Sequence, residues 1–219
     1  MPQSLLVKKV TKSLSGKSIY LDFSYEFNDG CYVITGPNGV GKTALIELLA
    51  GVLLPDMGKI ELQGVGRSHS YAYKKHLVYI PDKPSFFPFV TGREFINFIL
   101  SVKKIQNTNA IDDLIDQFRL ASHFNTPFQL MSLGTQKKFF LTMLTMQKES
   151  IILMDEPTNA LDEESNQILC QVIASSCKHS IVISVTHDIQ FIKKINARVI
   201  NLVETPVTKL TEVQYAMPF

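Results

Sequence analysis

The stretch that decides the fold is "CYVITGPNGVGKTALIELL", Cys31 to Leu49. It begins with five residues suited to a buried strand, passes through glycine-rich chain and ends in a leucine-rich helical pattern. Gly36-Pro37-Asn38-Gly39-Val40-Gly41-Lys42-Thr43 matches G-x-x-x-x-G-K-[ST], and it lies between a predicted strand and a predicted helix, the context that gives the motif its meaning. Glycines let the backbone come close to a ligand, so that successive N–H groups of residues 36–43 converge on phosphate oxygens at a helix N-terminus. Lys42 supplies a point charge to the outer phosphates, and the Thr43 hydroxyl is a ligand for Mg²⁺. Flexible chain between two stiff elements is what a phosphate cradle requires.

Outward from the loop, short apolar runs alternate with amphipathic segments. "KHLVYI", "SIILMD", "HSIVISVTH" and "ARVINLV" are rich in Ile and Val on both faces, as parallel strands covered by helices are. Thr91 with Glu94 forms a capping-box pattern ahead of "FINFIL". "AIDDLIDQFRL" sets Ile111, Leu114, Ile115 and Phe118 on one face, and a further helix begins at Ser132 and carries Phe140, Leu141 and Leu144. From about residue 86 to 147 the pattern is helical. The expectation is one α/β domain over 1–205, with its core at about 1–85 and 148–205, an inserted helical lobe at about 86–147, and a tail at 206–219.

The 219 residues, 45% hydrophobic, suffice for one such core. Twenty-two Lys and Arg against twenty Asp and Glu leave a net charge of +2, too weak a field to indicate nucleic acid as a partner. Cys31, Cys170 and Cys177 lack zinc-site spacing and read as small core residues of a reducing compartment. No apolar run is long enough to span a bilayer. These features point to the cytoplasm.

A triphosphate site needs a second metal-holding group and a group that activates water. "IILMDEP" supplies Asp155 and Glu156 at the carboxyl end of an apolar strand, where ligands bind open α/β sheets. Asp155 would hold Mg²⁺, and Glu156 would polarise the attacking water. "MSLGTQKK" offers a second anion site, with the Ser132 hydroxyl and the backbone at Gly134 at the positive end of a helix. "NALD", ending at Asp162, follows the carboxylates, and His187 follows the strand "IVISVT". Taken singly, Ser132 is an ordinary helix cap and His187 an ordinary loop histidine; their order behind the phosphate loop is what distinguishes them.

In that order, over roughly residues 3–205, the chain resembles the nucleotide-binding subunit of ATP-binding cassette (ABC) transporters. "GPNGVGKT" is similar to the family's Walker A, "ILMDEPT" to its Walker B with the catalytic glutamate, "MSLG" to its signature, "NALD" to its D-loop and His187 to its switch histidine. The resemblance implies a P-loop NTPase core with a mixed, mainly parallel sheet and an antiparallel β part near the N-terminus. It implies ATP and Mg²⁺ as cofactors, with Glu156 and His187 catalytic and Asp162 near the nucleotide. It also implies a head-to-tail dimer of cassettes, homomeric or heteromeric, in which Ser132 and Gly134 of one subunit close over the γ-phosphate held by Lys42 of the other. The cassette would drive a membrane permease and lie peripherally at the inner face of the membrane.

Three motifs depart from the family pattern. Leu133 and Thr135 replace the first glycine and the glutamine of L-S-G-G-Q. Asp82 stands at the Q-loop position, where it would reach Mg²⁺ directly or through a water. Leu14 stands where an aromatic often stacks on adenine, leaving Leu14 or Tyr20 to meet the base. Phe86, Phe87, Phe89 and Phe95 follow the Q-loop position, where family members receive the permease; they would anchor the lobe, with one or two exposed for docking. The short form resembles exporter cassettes for small molecules, peptides or haem. A soluble cassette acting on a non-membrane partner and a non-hydrolysing partner of a second cassette are the alternatives, the latter opposed by Glu156 and His187.

Overall fold

The computed structural model describes residues 4–106, 108–145, 151–209 and 211–213. Ser150 of the expected strand "SIILMD", the expected lobe boundary at 147/148, and residues 210 and 214–219 of the expected tail lie outside them.

The chain opens with β1 (Ser4–Leu14) and β2 (Lys17–Asn28), paired antiparallel through a two-residue turn at Ser15-Gly16. Both turn residues take positive φ, 48° and 79°, which matches the twist of a tight hairpin. With β4 (Met57–Leu62) and β5 (Gly66–Arg67) these strands form a sheet ordered β2-β1-β4-β5. Its hairpin tip carries Leu14.

The second sheet holds β3 (Gly30–Thr35), β6 (Leu77–Ile80), β7 (Ile151–Asp155), β8 (Ile181–Val185), β9 (Arg198–Asn201) and β10 (Thr211–Val213) in the order β10-β9-β3-β8-β7-β6. All neighbours are parallel except β10 against β9. Every residue of β7 and β8 is buried. The period of two sends Val33, Ile152, Met154 and Val182 into one core and Ile34, Ile151, Leu153 and Ile183 into the other, so these strands read as unbroken apolar runs. Each such side chain taken fully out of water contributes about 1.5–3 kcal/mol.

The first core lies under helices. Between Gly92 and Thr145 the described residues form α-helices and 3₁₀ turns without a named strand: α3 (Gly92–Lys103), α4 (Asn109–Gln117) and α5 (Leu133–Leu141) among them. Thr91 accepts from the Glu94 N–H while the Glu94 carboxylate accepts from the Thr91 N–H, the expected capping box. Ile111, Leu114, Ile115 and Phe118 are buried together with Phe140, Leu141 and Leu144. Phe95, Phe128 and Phe140 pack around Phe86 with ring centroids 5.0–6.5 Å apart. Phe86 and Phe95 thus anchor this region, while Phe87 and Phe89 stay exposed. The second core holds α1 (Lys42–Ala50), Tyr73 of the short α2 (Tyr71–Lys75) and the inner face of the antiparallel sheet. Helices α6 (Glu163–Ser176) and α7 (Ile189–Lys194) follow β7 and β8 respectively.

The cysteines depart from the reading as separate core residues. Cys31 and Cys177 are paired as a disulfide, with Cα atoms 5.4 Å apart, and Cys170 alone is free and buried. The partners are 146 residues apart, and their meeting follows from packing α6 against the sheet face that carries Cys31. No helix among the described residues is long and apolar enough to cross a membrane.

Candidate functional site

At the carboxyl ends of β3, β7 and β8 lies a cleft of about 460 Å³. The crevice at parallel-strand ends is where open α/β sheets take ligands. Its floor is the 36–43 loop. Gly41, with φ 111°, is the N-cap of α1 and provides no side-chain cap, whereas Thr91, Ser132 and Asp162 cap α3, α5 and α6 with side-chain oxygens. The first-turn N–H groups of α1 are therefore left to an anion. A Cβ at Gly41 would also stand 2.5 Å from Ile19 Cγ2, so only glycine fits there.

Asn38, Gly39, Gly41, Lys42 and Thr43 line the cleft. Gly36 sits against the Leu202 carbonyl, and the Val40 side chain turns into the core, so these two offer the ligand backbone alone. Lys42 is 8% exposed, and its ammonium donates to the carbonyls of Gly36 at 2.7 Å and Pro37 at 3.0 Å. The loop's own oxygens thus occupy the charge that the motif reserves for phosphate.

At the end of the loop, the Thr43 hydroxyl donates to Asp155 Oδ2 at 3.0 Å. Burial pushes the Asp155 carboxyl above its ordinary pKa, the Thr43 hydrogen bond pulls it back, and the charges of Glu156, Asp82 and Glu47 push it further up. Glu156 follows with φ 44°, a left-handed conformation uncommon outside glycine. The His187 Nε2 lies 3.9 Å from Glu156 Oε1. Asp82 lines the same cleft, with Oδ1 accepting from Asn159 Nδ2 at 3.0 Å.

Ser132, Gly134 and Asp162 are not among the lining residues. Ser132 caps α5 by accepting from the Thr135 N–H, and a Cβ at Gly134 would stand 2.3 Å from the Ala160 carbonyl oxygen. Asp162 caps α6 through the Ser165 N–H at 2.8 Å and accepts from the Lys138 ammonium at 2.7 Å. These contacts, Lys138 foremost, hold its carboxyl well below the usual range.

The base end corrects one expectation. Tyr20 is fully buried in the second core and donates its hydroxyl to the Gly41 carbonyl at 2.9 Å. Burial raises its pKa far above that of an ordinary phenol. It fastens the loop and cannot stack on a base. Leu14 and Ile19 line the cleft instead.

Sequence reasoning also missed Lys137, which is fully buried on α5 and donates to the Glu156 carbonyl at 2.8 Å. Its ammonium lies 3.6 Å from Asp82 Oδ1. Burial lowers its pKa, and the neighbouring carboxylates, Asp82 first, oppose the shift. Its spacing to Phe140, Leu141 and Leu144 puts a lysine on the apolar stripe, which was the available signal.

A triphosphate cradle facing paired carboxylates at parallel-strand ends defines a P-loop nucleotide site. The family model "ABC transporter" matches residues 21–159, more than half of the chain. Among curated proteins, the chain is 31% identical over 174 residues to the cytochrome c biogenesis ATP-binding export protein CcmA of Sodalis glossinidius, covering 78% of this chain and 82% of that protein. It is 28% identical over 186 residues to the molybdate/tungstate import ATP-binding protein WtpC of Methanocaldococcus jannaschii, covering 84% of this chain and 61% of that one. A solved ATP-binding subunit of an ABC transporter superposes with a TM-score of 0.84 at 19% identity, over 96% of this chain and 90% of its own. The chain belongs to the ABC transporter family, as an ATP-binding cassette and so by class an ATPase.

Proposed function

We propose that this cassette hydrolyses ATP to drive a separately encoded membrane permease, as one half of a cassette dimer. The observation that carries the chemistry is the convergence of the Lys42 cradle, the Thr43–Asp155 pair and the Glu156–His187 pair on one cleft. Glu156 is the general base toward the attacking water, with His187 beside it near the γ-phosphate. Leu14 and Ile19 meet the base through apolar contact. Ser132, Gly134 and Asp162, all outside the intrachain cleft, serve the partner subunit's nucleotide, homomeric or heteromeric. The residues fit Mg²⁺. A hydroxyl and a carboxylate are hard oxygen donors, and Asp155 sits among charges that a divalent cation would relieve. The described residues hold no cage of three or more His, Cys, Asp or Glu, as suits an ion bound by one or two carboxylates together with substrate phosphates. Thr43 and Asp155 would hold it, while Asp82 Oδ1 is engaged by Asn159 and Lys137. When bound, it neutralises phosphate charge.

The domain spans 1–205, with the helical lobe at about 86–147 offering exposed Phe87 and Phe89 to the permease. Such docking keeps the protein cytoplasmic and peripheral at the inner face of the membrane, and the net charge of +2 favours no nucleic acid partner. Export of a small molecule, peptide or haem-like cargo is our reading, supported by the 31% identity to an export protein over 174 residues. The test is co-purification: the tagged chain, expressed with the membrane protein encoded beside it, should return a detergent-stable complex whose ATPase responds to cargo. A Phe87→Ser/Phe89→Ser chain that still captures the permease and couples to it refutes the docking surface.

A further inference from the structure

Lys137 raises a question that the cradle and the carboxylates do not answer. A fully buried ammonium is costly unless it is paired and hydrogen-bonded. Its partners form a closed ring. Lys137 donates to the Glu156 carbonyl, and the Asn159 N–H donates to the same oxygen at 3.2 Å. The Asn159 side chain donates to Asp82 Oδ1, which faces the Lys137 ammonium in turn. On its other side, the Glu156 N–H donates to the Val185 carbonyl at 2.8 Å. A left-handed non-glycine residue persists where its surroundings over-determine it. Here three hydrogen bonds converge on the Glu156 backbone.

We propose that Lys137 is a positioning residue for the general base: with Asp82 as its counter-ion, its ammonium fixes the left-handed backbone of Glu156 and so aims the carboxylate into the cleft. The proposal rests on the role of Glu156 put forward above. It also gives the aspartate at position 82 a physical reason, since a neutral glutamine there would leave a buried cation without its nearest countercharge. Lys137 is not among the residues that line the cleft and acts through the peptide it holds.

The experiment compares Glu156→Gln, Lys137→Met, Lys137→Gln and Lys137→Gln/Asp82→Asn in the full chain. It reads steady-state kcat and KM, equilibrium affinity for a fluorescent ATP analogue, and melting temperature. Lys137→Met should lower kcat by about 10²-fold, the usual effect of misplacing a reacting group by an ångström, with KM and affinity within about twofold of the parent. Lys137→Gln/Asp82→Asn should turn over faster than Lys137→Gln alone, because removing the orphaned carboxylate restores charge balance. If Lys137→Met does not fold, the Lys137→Gln pair of variants carries the same comparison. A Lys137 variant at parental kcat, beside an inactive Glu156→Gln, overturns the inference and leaves the base assignment standing. Full turnover in Glu156→Gln overturns the base assignment itself. Parallel loss of kcat, ATP affinity and melting temperature, without relief in the double variant, reduces Lys137 to a structural residue and also overturns the inference.

Discussion

Lys42→Ala tests the cradle twice, once without nucleotide and once with it. Without nucleotide, the ammonium joins the carbonyls of Gly36 and Pro37 at 2.7 and 3.0 Å. Hydrogen bonds to a charged donor contribute about 1.5–3 kcal/mol each, but Gly36 is only half-buried and Pro37 is exposed, so water replaces the lost partner. The net loss should be about 2 kcal/mol for the pair. In a chain of this size that lowers the melting temperature by roughly 4–8 °C. With ATP at a hundred times its dissociation constant, the parent should gain about 2.7 kcal/mol, or roughly 5–11 °C. The variant should gain almost none of this. The assay is a thermal melt with and without ATP, together with equilibrium titration of ATP. A variant with the parental melting temperature and an undiminished ATP-induced shift would refute both the hydrogen-bonding account and the assignment of Lys42 to the outer phosphates.

Glu156→Gln should bind ATP normally while turnover falls by roughly 10²–10⁴, the worth of a positioned general base, and ATP-dependent dimers should accumulate on size exclusion. Ser132→Arg should bind ATP yet fail to dimerise. Mixed with Lys42→Ala, it should recover ATPase activity, because one composite site then pairs an intact loop with an intact signature; concentration-independent activity together with no rescue at any ratio would sink the dimer. Thr91→Ala removes the capping box of α3 and should cost about 1 kcal/mol, read as a lower urea midpoint with unchanged slope. The depressed carboxyl of Asp162 contributes stability that is present above the ordinary aspartate range and is lost as pH falls below about 4 toward its folded pKa. Asp162→Asn should therefore flatten the acid side of the stability–pH curve, and an unchanged slope there would remove Lys138 and the Ser165 N–H as the cause.

What could be read in the chain is what is local. The 36–43 loop, the Thr91–Glu94 cap and the apolar face from Ile111 to Phe118 each lie within a dozen residues, and spacing alone specifies them. The parallel strands were legible because burial on both faces removes the alternation that a half-exposed strand would display. Tyr20, Lys137 and the Cys31–Cys177 pair were not, because each acquires its role from a partner 19 to 146 residues away. Tyr20 illustrates the limit. Its neighbourhood in sequence suggested a ring for the base, and only the register of β1 against β2 turns that ring inward, toward Gly41. Glu156 is intermediate: its identity and strand-end position follow from "IILMDEP", whereas its left-handed backbone depends on groups from β8, α5 and the turn that follows it.

The bond from Tyr20 to Gly41 joins the two ends of the nucleotide cleft mechanically. Leu14 and Ile19 flank the same strand pair, so the base platform and the phosphate loop travel as one block, a ruler of fixed length against which a nucleotide is measured. Glu156 rides on the same sheet, since β7 is joined to β3 through β8, and α5 reaches it from the other side through Lys137. A nucleotide seated along that ruler would bring its terminal phosphate to Glu156, and a shorter one would leave the carboxylate without its target.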